Sequence, residues 1–389
     1  MLPQFENTEI AFRYRSNAEL KQARFLFSSM GSPILTGLGM TATKWAMALH
    51  LPVNGLIKRT IFKQFCGGET MEEAAATADT LSKYNVGVIL DYGVEGKEGE
   101  SEFDKAVPEF LKAIDFAAGQ KNIPFISIKV TGFSRFALLE KLDAGEQLTQ
   151  QEQEEWNRVF TRIDRICARA AEKNIKVLVD AEESWIQKPI DQMTDQMMER
   201  YNKKTAVVYN TFQLYLHSRL PFLKASLQQA RQKGYLLGAK LVRGAYMEKE
   251  RLRASEMNYP SPVQVDKAAT DHDYNEAVLF CIEHLNDLEL FIGTHNEYSC
   301  LQAAKEMQER GIPSTHAHVY FSQLYGMSDN ISFNLADSGY KVAKYLPYGP
   351  VRDVMPYLMR RAQENTSVAG QTGRELTLIN KELKRRKLA

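Results

Sequence analysis

The sequence predicts an α/β protein built on one (β/α)8 barrel, and three observations support this fold class. From residue 86 onward, eight short runs rich in β-branched or other apolar residues follow one another. Longer segments with the 3.6-residue periodicity of amphipathic helices separate these runs. No Gly/Ser-rich or Pro-rich linker interrupts the alternation, so a second domain within it is not expected. Strands that each lead into a helix are typical of a parallel barrel.

The elements can be placed in order along the chain. Ahead of the barrel, helices are predicted at 17–29, 41–50, 56–66 and 71–84. The eight predicted strands are 86–93, 125–130, 176–182, 205–212, 236–244, 288–296, 317–323 and 339–349. Helices between them are predicted at 104–120, 152–173, 190–201, 214–233, 268–285, 298–310 and 328–338. The predicted domains are an N-terminal helical arm (1–84), the barrel (85–370) and a basic C-terminal tail (371–389).

Composition narrows the class of protein. The 389 residues are 44% hydrophobic and 25% charged, which is typical of a soluble globular protein with an ample core. Lys and Arg total 49 against 48 Asp and Glu, so a basic surface for nucleic acid is not expected. The four scattered cysteines form no C-x-x-C pair, and the N-terminus lacks a signal-peptide pattern. Reduced thiols and a cytoplasmic location are therefore predicted.

Polar or charged side chains follow nearly every predicted strand. In a (β/α)8 barrel the carboxyl ends of the strands form the active-site face, whereas the strand interiors are packed core. This arrangement predicts a site for a large polar ligand and a smaller one. The strand-end residues are Asp91, Glu95, Lys129, Asp180, Glu182, Asn210, Lys240, Arg243, Thr294, His295, Asn296, Gln323 and Tyr345.

Structural roles compete with functional ones at several of these positions. Lys129 and Asp180 follow neighbouring strands and could form a structural ion pair at the barrel rim. His295 could support the next helix, because Asn296 is a typical helix N-cap residue. The histidines lack an HExxH spacing, so no metal site is expected, and no G-x-G-x-x-G follows a strand, which argues against a Rossmann site.

The helix predicted after the eighth strand carries an unusual polar stripe. Tyr357, Arg360, Arg361 and Glu364 are spaced at offsets of zero, three, four and seven residues. That spacing brings one ring, two guanidiniums and a carboxylate to one helix face. Such a face is either solvated or directed at an anionic ligand.

Six motifs in this sequence resemble those of the proline dehydrogenase family, FAD-dependent enzymes that start proline catabolism. They occur in the family's order, at six of the eight strand ends and on the final helix. The resemblance implies a distorted (βα)8 barrel whose last helix lies over the barrel mouth. The motifs are SIK (127–129), DAEE (180–183), KLVRGAYMEKER (240–251), GTHN (293–296), QLYGMSD (323–329) and KYLPYGPVRDVMPYLMRRAQEN (344–365).

The resemblance also implies roles for individual residues. Arg360 and Arg361 match the pair that binds the proline carboxylate, and Glu95 matches the acid that pairs with the first of them. The residues that enclose the ring are Tyr246, Leu324, Tyr345 and Tyr357, and those assigned to catalysis are Lys129, Asp180 and Tyr345. The residues assigned to the cofactor are Asn210, Lys240, Val242, Arg243, Gly244, Ala245, Lys267, Thr270, Thr294, His295, Asn296, Gln323 and Glu364.

The activity implied by the resemblance is oxidation of L-proline to Δ1-pyrroline-5-carboxylate by hydride transfer to FAD, with Lys129 as the nearest candidate base. Electrons are expected to pass to a membrane quinone, and the product to a separate pyrroline-5-carboxylate dehydrogenase. The basic tail is predicted either to be solvated or to dock on an anionic membrane. Alternatives are a 4-hydroxyproline dehydrogenase, a Schiff-base lyase using Lys129 or Lys240, and a barrel that only binds an anion.

Overall fold

The eight predicted strands are present and close into one parallel barrel in sequence order, which confirms the predicted fold class. This computed structural model describes residues 2–31, 37, 45, 54–93, 99–367 and 371–388, without the side chains of 363–367 and 371–372. The strands are β1 (Val86–Tyr92), β2 (Phe125–Ile128), β3 (Lys176–Val179), β4 (Val208–Gln213), β5 (Leu237–Val242), β6 (Leu288–Gly293), β7 (Val319–Leu324) and β8 (Val342–Tyr348).

Helices alternate with these strands and also precede and follow them. A further helical stretch covers residues 54–65, and the helix predicted at 41–50 lies outside the described residues. The α-helices are α1 (Thr8–Phe12), α2 (Asn17–Met30), α3 (Met71–Ser82), α4 (Glu100–Ala118), α5 (Phe136–Asp143), α6 (Gln150–Lys173), α7 (Ser184–Tyr201), α8 (Arg219–Lys233), α9 (Met247–Glu256), α10 (Lys267–Glu283), α11 (Glu297–Glu309), α12 (Asp329–Asp337), α13 (Val351–Ser367) and α14 (Gln371–Arg385).

Side-chain caps fix where several helices begin. Ser16 and Glu19 form a reciprocal capping box at the start of α2, and Thr149 and Glu152 do the same for α6. Asn296 accepts a hydrogen bond from the backbone of Ser299 and caps α11. The capping role weighed for this segment is therefore confirmed for Asn296.

The chain forms two compact units, Gly96–Ser322 and Met1–Glu95 with Gln323–Ala389. They do not coincide with the predicted arm, barrel and tail, whose boundaries stay a prediction. In the first unit the barrel interior is filled by edge-to-face aromatic contacts of Phe125 with Tyr209, Phe291 and Tyr320. This layer makes the strand interior a packed core rather than a pore.

In the second unit, β1 and β8 pair in parallel from Val86 and Val342 to Tyr92 and Tyr348. Beside them, the helices of the arm pack against the last two helices and form an apolar core of their own. Buried residues of that core include Phe12, Phe27, Phe65, Leu358, Ile379 and Leu383. The arm therefore has a structural role that the sequence left open, because it supports α13 and α14.

The apolar face of the basic tail is buried in this core. Leu378, Ile379 and Leu383 of α14 are at most 2% exposed. Arg386 donates hydrogen bonds to the carbonyl oxygens of Phe12 and Arg15, which fastens α14 to the arm. The tail is thus neither a fully solvated helix nor a helix with its apolar face available to a membrane. Among the described residues, no helix has the length and apolar character needed to cross a bilayer.

Candidate active site

Asp180 and two lysines form an ionic cluster at the carboxyl ends of the strands. Lys129 directly follows β2, Asp180 directly follows β3, and Lys240 lies on β5. One carboxylate oxygen of Asp180 lies 2.6 Å from Nζ of Lys240, and the other lies 3.6 Å from Nζ of Lys129. The ion pair predicted between Lys129 and Asp180 is therefore present, and Lys240 is the nearer partner.

Glu182, two residues further along, supports the Lys129 segment. Its carboxylate accepts hydrogen bonds from the backbone N–H of Thr131 at 3.1 Å and from the Thr131 hydroxyl at 2.5 Å. Burial raises the pKa of Glu182 to about 7, although the contacts with Thr131 and the charge of Lys129 oppose that rise. The sequence placed Glu182 at a strand end but gave it no role.

The structure corrects the assignment of Asn210 to the cofactor. The Asn210 amide is fully buried and donates to Asp191 of α7, which also binds Arg219 of α8. Asn210 therefore faces the surrounding helices. Because side chains alternate along a strand, Gln213 lies on the opposite face of β4. Gln213, three residues later, instead donates to the Glu182 carbonyl and accepts from the Ala245 backbone N–H.

Arg243 is held rigidly at the end of β5. Its guanidinium contacts Asp271 at 2.6 Å, the Thr294 hydroxyl at 2.8 Å and the Ser299 hydroxyl at 3.0 Å. It also lies over the ring of Tyr274, 4.3 Å from the centroid. These contacts fix a half-buried cation, and thereby bring together the predicted residues Arg243 and Thr294.

Lys267 adds a second cation to the same carboxylate. Its Nζ lies 2.5 Å from Asp271, and the lysine side chain is 72% exposed. Burial alone would raise the pKa of Asp271, but its hydrogen bonds with Lys267 and Arg243 lower that pKa below the usual value. Two cations therefore share one ionised carboxylate. Arg243 is held by several contacts, whereas Lys267 is largely exposed.

The position after Arg243 requires glycine, because its backbone is left-handed and lies against a tyrosine ring. Gly244 has φ +136°, and a Cβ there would lie 1.8 Å from the ring of Tyr215. The Tyr215 N–H donates to the Arg243 carbonyl, which keeps the two segments in contact. Val242 is half-buried, and the backbone at Gly244 and Ala245 is exposed.

Tyr246 precedes α9, a helix that is anchored to α7 through Glu250. Glu250 is fully buried and accepts from the Ser184 backbone N–H at 2.7 Å and from its hydroxyl at 2.6 Å. Lys249 forms an ion pair with Glu183 at 2.7 Å. These contacts fix the segment that carries Tyr246, and no local sequence pattern predicts them.

Three other predicted residues of this unit lie on α10 and at the start of α11. Thr270 is buried on α10, and its hydroxyl donates to the carbonyl of Asp266. His295 is half-buried between Thr294 and the cap residue Asn296. The structure thus places His295 and Asn296 beside the Arg243 cluster, whereas the Thr270 hydroxyl serves its own helix.

The unit that contains the last strand and helix carries the remaining predicted residues. Gln323 is buried and accepts a hydrogen bond from Ser332, and Leu324 ends β7. The Tyr325 backbone N–H donates to the carbonyl of Tyr345 at 2.9 Å, so the end of β7 is tied to β8. Tyr345 is 7% exposed.

Part of the predicted stripe on α13 is described. The Arg361 guanidinium lies over the Tyr357 ring, 5.0 Å from its centroid, and Arg361 is 7% exposed. Leu358 is buried in the apolar core that the arm forms with α13, and Tyr357 of the stripe also packs against that core. Arg360 is half-buried. Glu95 and the side chain of Glu364 lie outside the described residues.

A closed parallel barrel with fixed cations and carboxylates at the carboxyl ends of its strands has the architecture of a barrel enzyme. Residues 74–374 match the sequence model of the family described as "Proline dehydrogenase". This chain belongs to the proline dehydrogenase family and is an oxidoreductase of that family.

Several relatives align over most of the chain. It is 33% identical to "Proline dehydrogenase 1, mitochondrial" of Dictyostelium discoideum, over 87% of this chain and 67% of that protein. It is 36% identical to the carbapenem antibiotics biosynthesis protein CarD of Pectobacterium carotovorum, over 83% of both chains. It is 30% identical to the hydroxyproline dehydrogenase of Xenopus laevis, over 96% of this chain and 88% of that protein.

Solved structures show the same fold. Proline utilization A (PutA) from Bdellovibrio bacteriovorus, inactivated by N-propargylglycine, superimposes with a TM-score of 0.73 at 20% identity. A PutA structure with proline bound in remote sites has a TM-score of 0.67 at 20% identity. The chain covers 37% and 33% of these PutA chains, so it spans about a third of their length.

Proposed function

We propose that this protein oxidises L-proline to Δ1-pyrroline-5-carboxylate and uses FAD as the hydride acceptor. The observation that carries the proposal is the charged cluster of Lys129, Asp180 and Lys240 at the strand ends of a barrel from this family. Proline dehydrogenases of several organisms are among the relatives that align over most of the chain. When bound, FAD would supply the electron-accepting chemistry that no side chain can perform.

The residues at the ends of β5 and β6 fit the phosphates of such a cofactor. Arg243 is a pre-organised guanidinium, and Lys267 is a second cation on the same carboxylate. Exposed backbone at Gly244 and Ala245 lets a ligand approach the chain closely. Thr294 adds a hydroxyl beside Arg243. Both cations suit a dianionic pyrophosphate. Lys240 would add positive charge near the flavin ring, which accepts the electrons.

The proposed substrate contacts divide between charge and shape. Arg360 and Arg361 would bind the proline carboxylate, because guanidinium groups form forked hydrogen bonds with a planar anion. Tyr246, Leu324, Tyr345 and Tyr357 would enclose the apolar ring. Fixing the carboxylate and packing the ring would orient the ring carbon beside nitrogen, from which the hydride leaves.

Proton balance requires a neutral amine. Oxidation removes a hydride from carbon and a proton from nitrogen, so an amine that is still protonated must lose a further proton first. Lys129 is the nearest candidate base, and it must itself be deprotonated before it can accept that proton. Its partner Asp180 lies 3.6 Å away, and solvent is the alternative acceptor.

The acceptor of the electrons is proposed to be a membrane quinone, and the product is proposed to pass to a separate pyrroline-5-carboxylate dehydrogenase. A cytoplasmic location, peripheral at the membrane, remains a prediction. The burial of Leu378, Ile379 and Leu383 argues against the apolar face of the tail as the membrane contact.

4-Hydroxyproline is the second candidate substrate, because the Xenopus laevis relative is named for hydroxyproline. Tyr345 favours proline, since a buried ring leaves less space for a substrate hydroxyl than a small residue would. We expect Tyr345→Ser to lose efficiency with proline and to lose less with 4-hydroxyproline. A wild-type enzyme that already prefers 4-hydroxyproline would overturn the choice of substrate.

Arg360→Lys and Arg361→Lys test whether these two arginines bind the proline carboxylate. Each variant keeps the positive charge but cannot form the paired hydrogen bonds of a guanidinium with a carboxylate. The apparent affinity for proline should therefore fall about tenfold or more. Anaerobic bleaching of the flavin against proline concentration measures that affinity. Unchanged affinity in both variants would contradict the binding of the proline carboxylate by these arginines. Borohydride trapping of substrate on Lys129 or Lys240 would instead support a lyase.

A further inference from the structure

A buried ionic network lies in the unit that contains the arm and the last two helices. At its centre is Asp329, the first residue of α12, which is 2% exposed. One of its carboxylate oxygens lies 2.8 Å from Nζ of Lys344, and the other lies 3.0 Å from Nε of Arg15. Burial alone would raise the pKa of Asp329, but Lys344 and Arg15 outweigh it and hold the pKa below its usual value. Desolvating three charges is costly, so the network is not explained by stability alone.

On one side, the network holds the loop at the carboxyl end of β7. The Lys344 ammonium donates to the carbonyl oxygen of Met327 at 2.7 Å and to that of Leu324 at 3.4 Å. The Tyr325 backbone N–H donates to the carbonyl of Tyr345, the residue after Lys344. Leu324 and Tyr345, two proposed walls of the substrate pocket, are therefore tied to the side chain and backbone around Lys344.

On the other side, the network reaches the N-terminal arm. Arg15 also donates to the Gln64 side chain at 3.1 Å, and Gln64 donates to the carbonyl of Gly326 in the same loop. The Tyr14 hydroxyl donates to Asp329 at 2.8 Å, and the Tyr14 ring stacks on Phe333. The arm therefore contacts the loop backbone at Gly326 and the carboxylate of Asp329, which directly follows the loop.

We propose that Arg15 is a positioning residue for the substrate pocket. Through Asp329 and Lys344, it fixes the backbone of the loop between β7 and α12. Leu324 and Tyr345 then stay at the positions that leave space for the proline ring. This inference rests on the proposed function for the roles of Leu324 and Tyr345. It gives the arm a part in substrate recognition, although Arg15 itself touches no substrate.

Arg15→Met tests the proposal, because it removes the charge and keeps much of the side-chain length. If the pocket walls move, ring packing is lost equally in the ground and transition states, so affinity falls more than the rate. We expect about a tenfold weaker affinity for proline, with a limiting rate of flavin bleaching within about threefold of wild type. Calorimetry with cyclopentanecarboxylate, which has a ring and a carboxylate but no amine to oxidise, should show the same loss of affinity.

Arg13→Met is the matched control. Arg13 lies on the same arm and contacts the last residue of the same helix, Asp337, at 2.9 Å. The side chains of that pair are 31% and 40% exposed, so its loss should leave affinity unchanged. Arg15→Lys keeps the charge but loses the planar guanidinium, which contacts Asp329 and Gln64 through two different nitrogens, so its affinity should be intermediate.

The outcomes separate this inference from the proposed function. A folded Arg15→Met protein with wild-type affinity for both compounds would overturn the role of Arg15, as would an equal loss in Arg13→Met. If Arg15→Met does not fold, Tyr14→Phe removes one hydrogen bond to Asp329 and keeps the ring. That variant should weaken affinity about threefold, and unchanged affinity would overturn the proposal. Failure of the wild-type flavin to bleach with proline would instead contradict the proposed function.

Discussion

Replacing Asp180 by asparagine would leave two lysines without the carboxylate between them. At an effective dielectric constant of about 20, the attraction is about 6 kcal/mol for Lys240 and about 5 kcal/mol for Lys129 before desolvation is subtracted. The contact distances behind these values are 2.6 and 3.6 Å. Breaking a fully buried pair costs about 3–5 kcal/mol, because one charge is left uncompensated. Lys129 and Asp180 are 22% and 14% exposed, so some solvent screening remains.

We therefore expect Asp180→Asn to destabilise the protein by about 2–3 kcal/mol, which for a chain of this length corresponds to a fall of about 2–4 °C in the unfolding temperature. Differential scanning calorimetry of the purified protein measures that change. The same variant should also lose most of its flavin bleaching by proline, because Lys129 and Lys240 no longer have a fixed orientation.

Asp287→Asn is the matched control, since Asp287 contacts Arg231 at the same distance of 2.6 Å in the same unit. That pair is 45% and 40% exposed, so its loss should cost less than about 0.5 kcal/mol. Equal effects of the two substitutions would refute the reasoning that burial makes the Asp180 cluster important.

Three further changes test other parts of the structure. Burial raises the pKa of Glu375 to about 7 from an ordinary value of 4.5, so its contribution to stability is complete below pH 4.5 and is lost as pH rises through 7. Glu375→Gln should remove this loss, about 3 kcal/mol by the size of the pKa change, in unfolding curves measured from pH 5 to 8. Arg243→Met should reduce the bound flavin per protein, measured by absorbance, more than Lys267→Met does, because Arg243 is the fixed cation. Gly244→Ala should yield little folded protein on gel filtration, since its Cβ would overlap the Tyr215 ring.

The barrel could be predicted because its signals are local. Each strand is a short apolar run, and the amphipathic helices between strands repeat at 3.6 residues, so all eight strands appear in the expected order. Helix α9 was not predicted, because its sequence MEKERLRASE has few apolar residues and no periodic apolar face. It is held instead by the buried carboxylate of Glu250.

The site could be predicted only in part. The strand-end pattern located Lys129, Asp180, Lys240 and Arg243, and the resemblance assigned their roles. The structure brings these residues into two ionic clusters. The resemblance did not resolve which side of β4 faces the barrel, and a shift from Asn210 to Gln213 changes the face on which a side chain lies.

Contacts distant in sequence leave no local signal. Arg15 and Asp329 are 314 residues apart, and neither lies in a pattern that predicts the other. Likewise, the apolar residues of the basic tail are compatible with a membrane surface or with a protein core. The tertiary structure decides between them, because α1 and α2 cover that face.

Anaerobic mixing of the purified protein, reconstituted with FAD, with L-proline tests the proposed reaction most directly. The flavin absorbance should bleach, and one equivalent of a pyrroline carboxylate, two hydrogen atoms lighter than proline, should form for each flavin reduced. Bleaching by 4-hydroxyproline at much lower concentration than by proline would contradict the proposed substrate. A flavin-containing protein that stays oxidised with both compounds would contradict the proposed reaction itself.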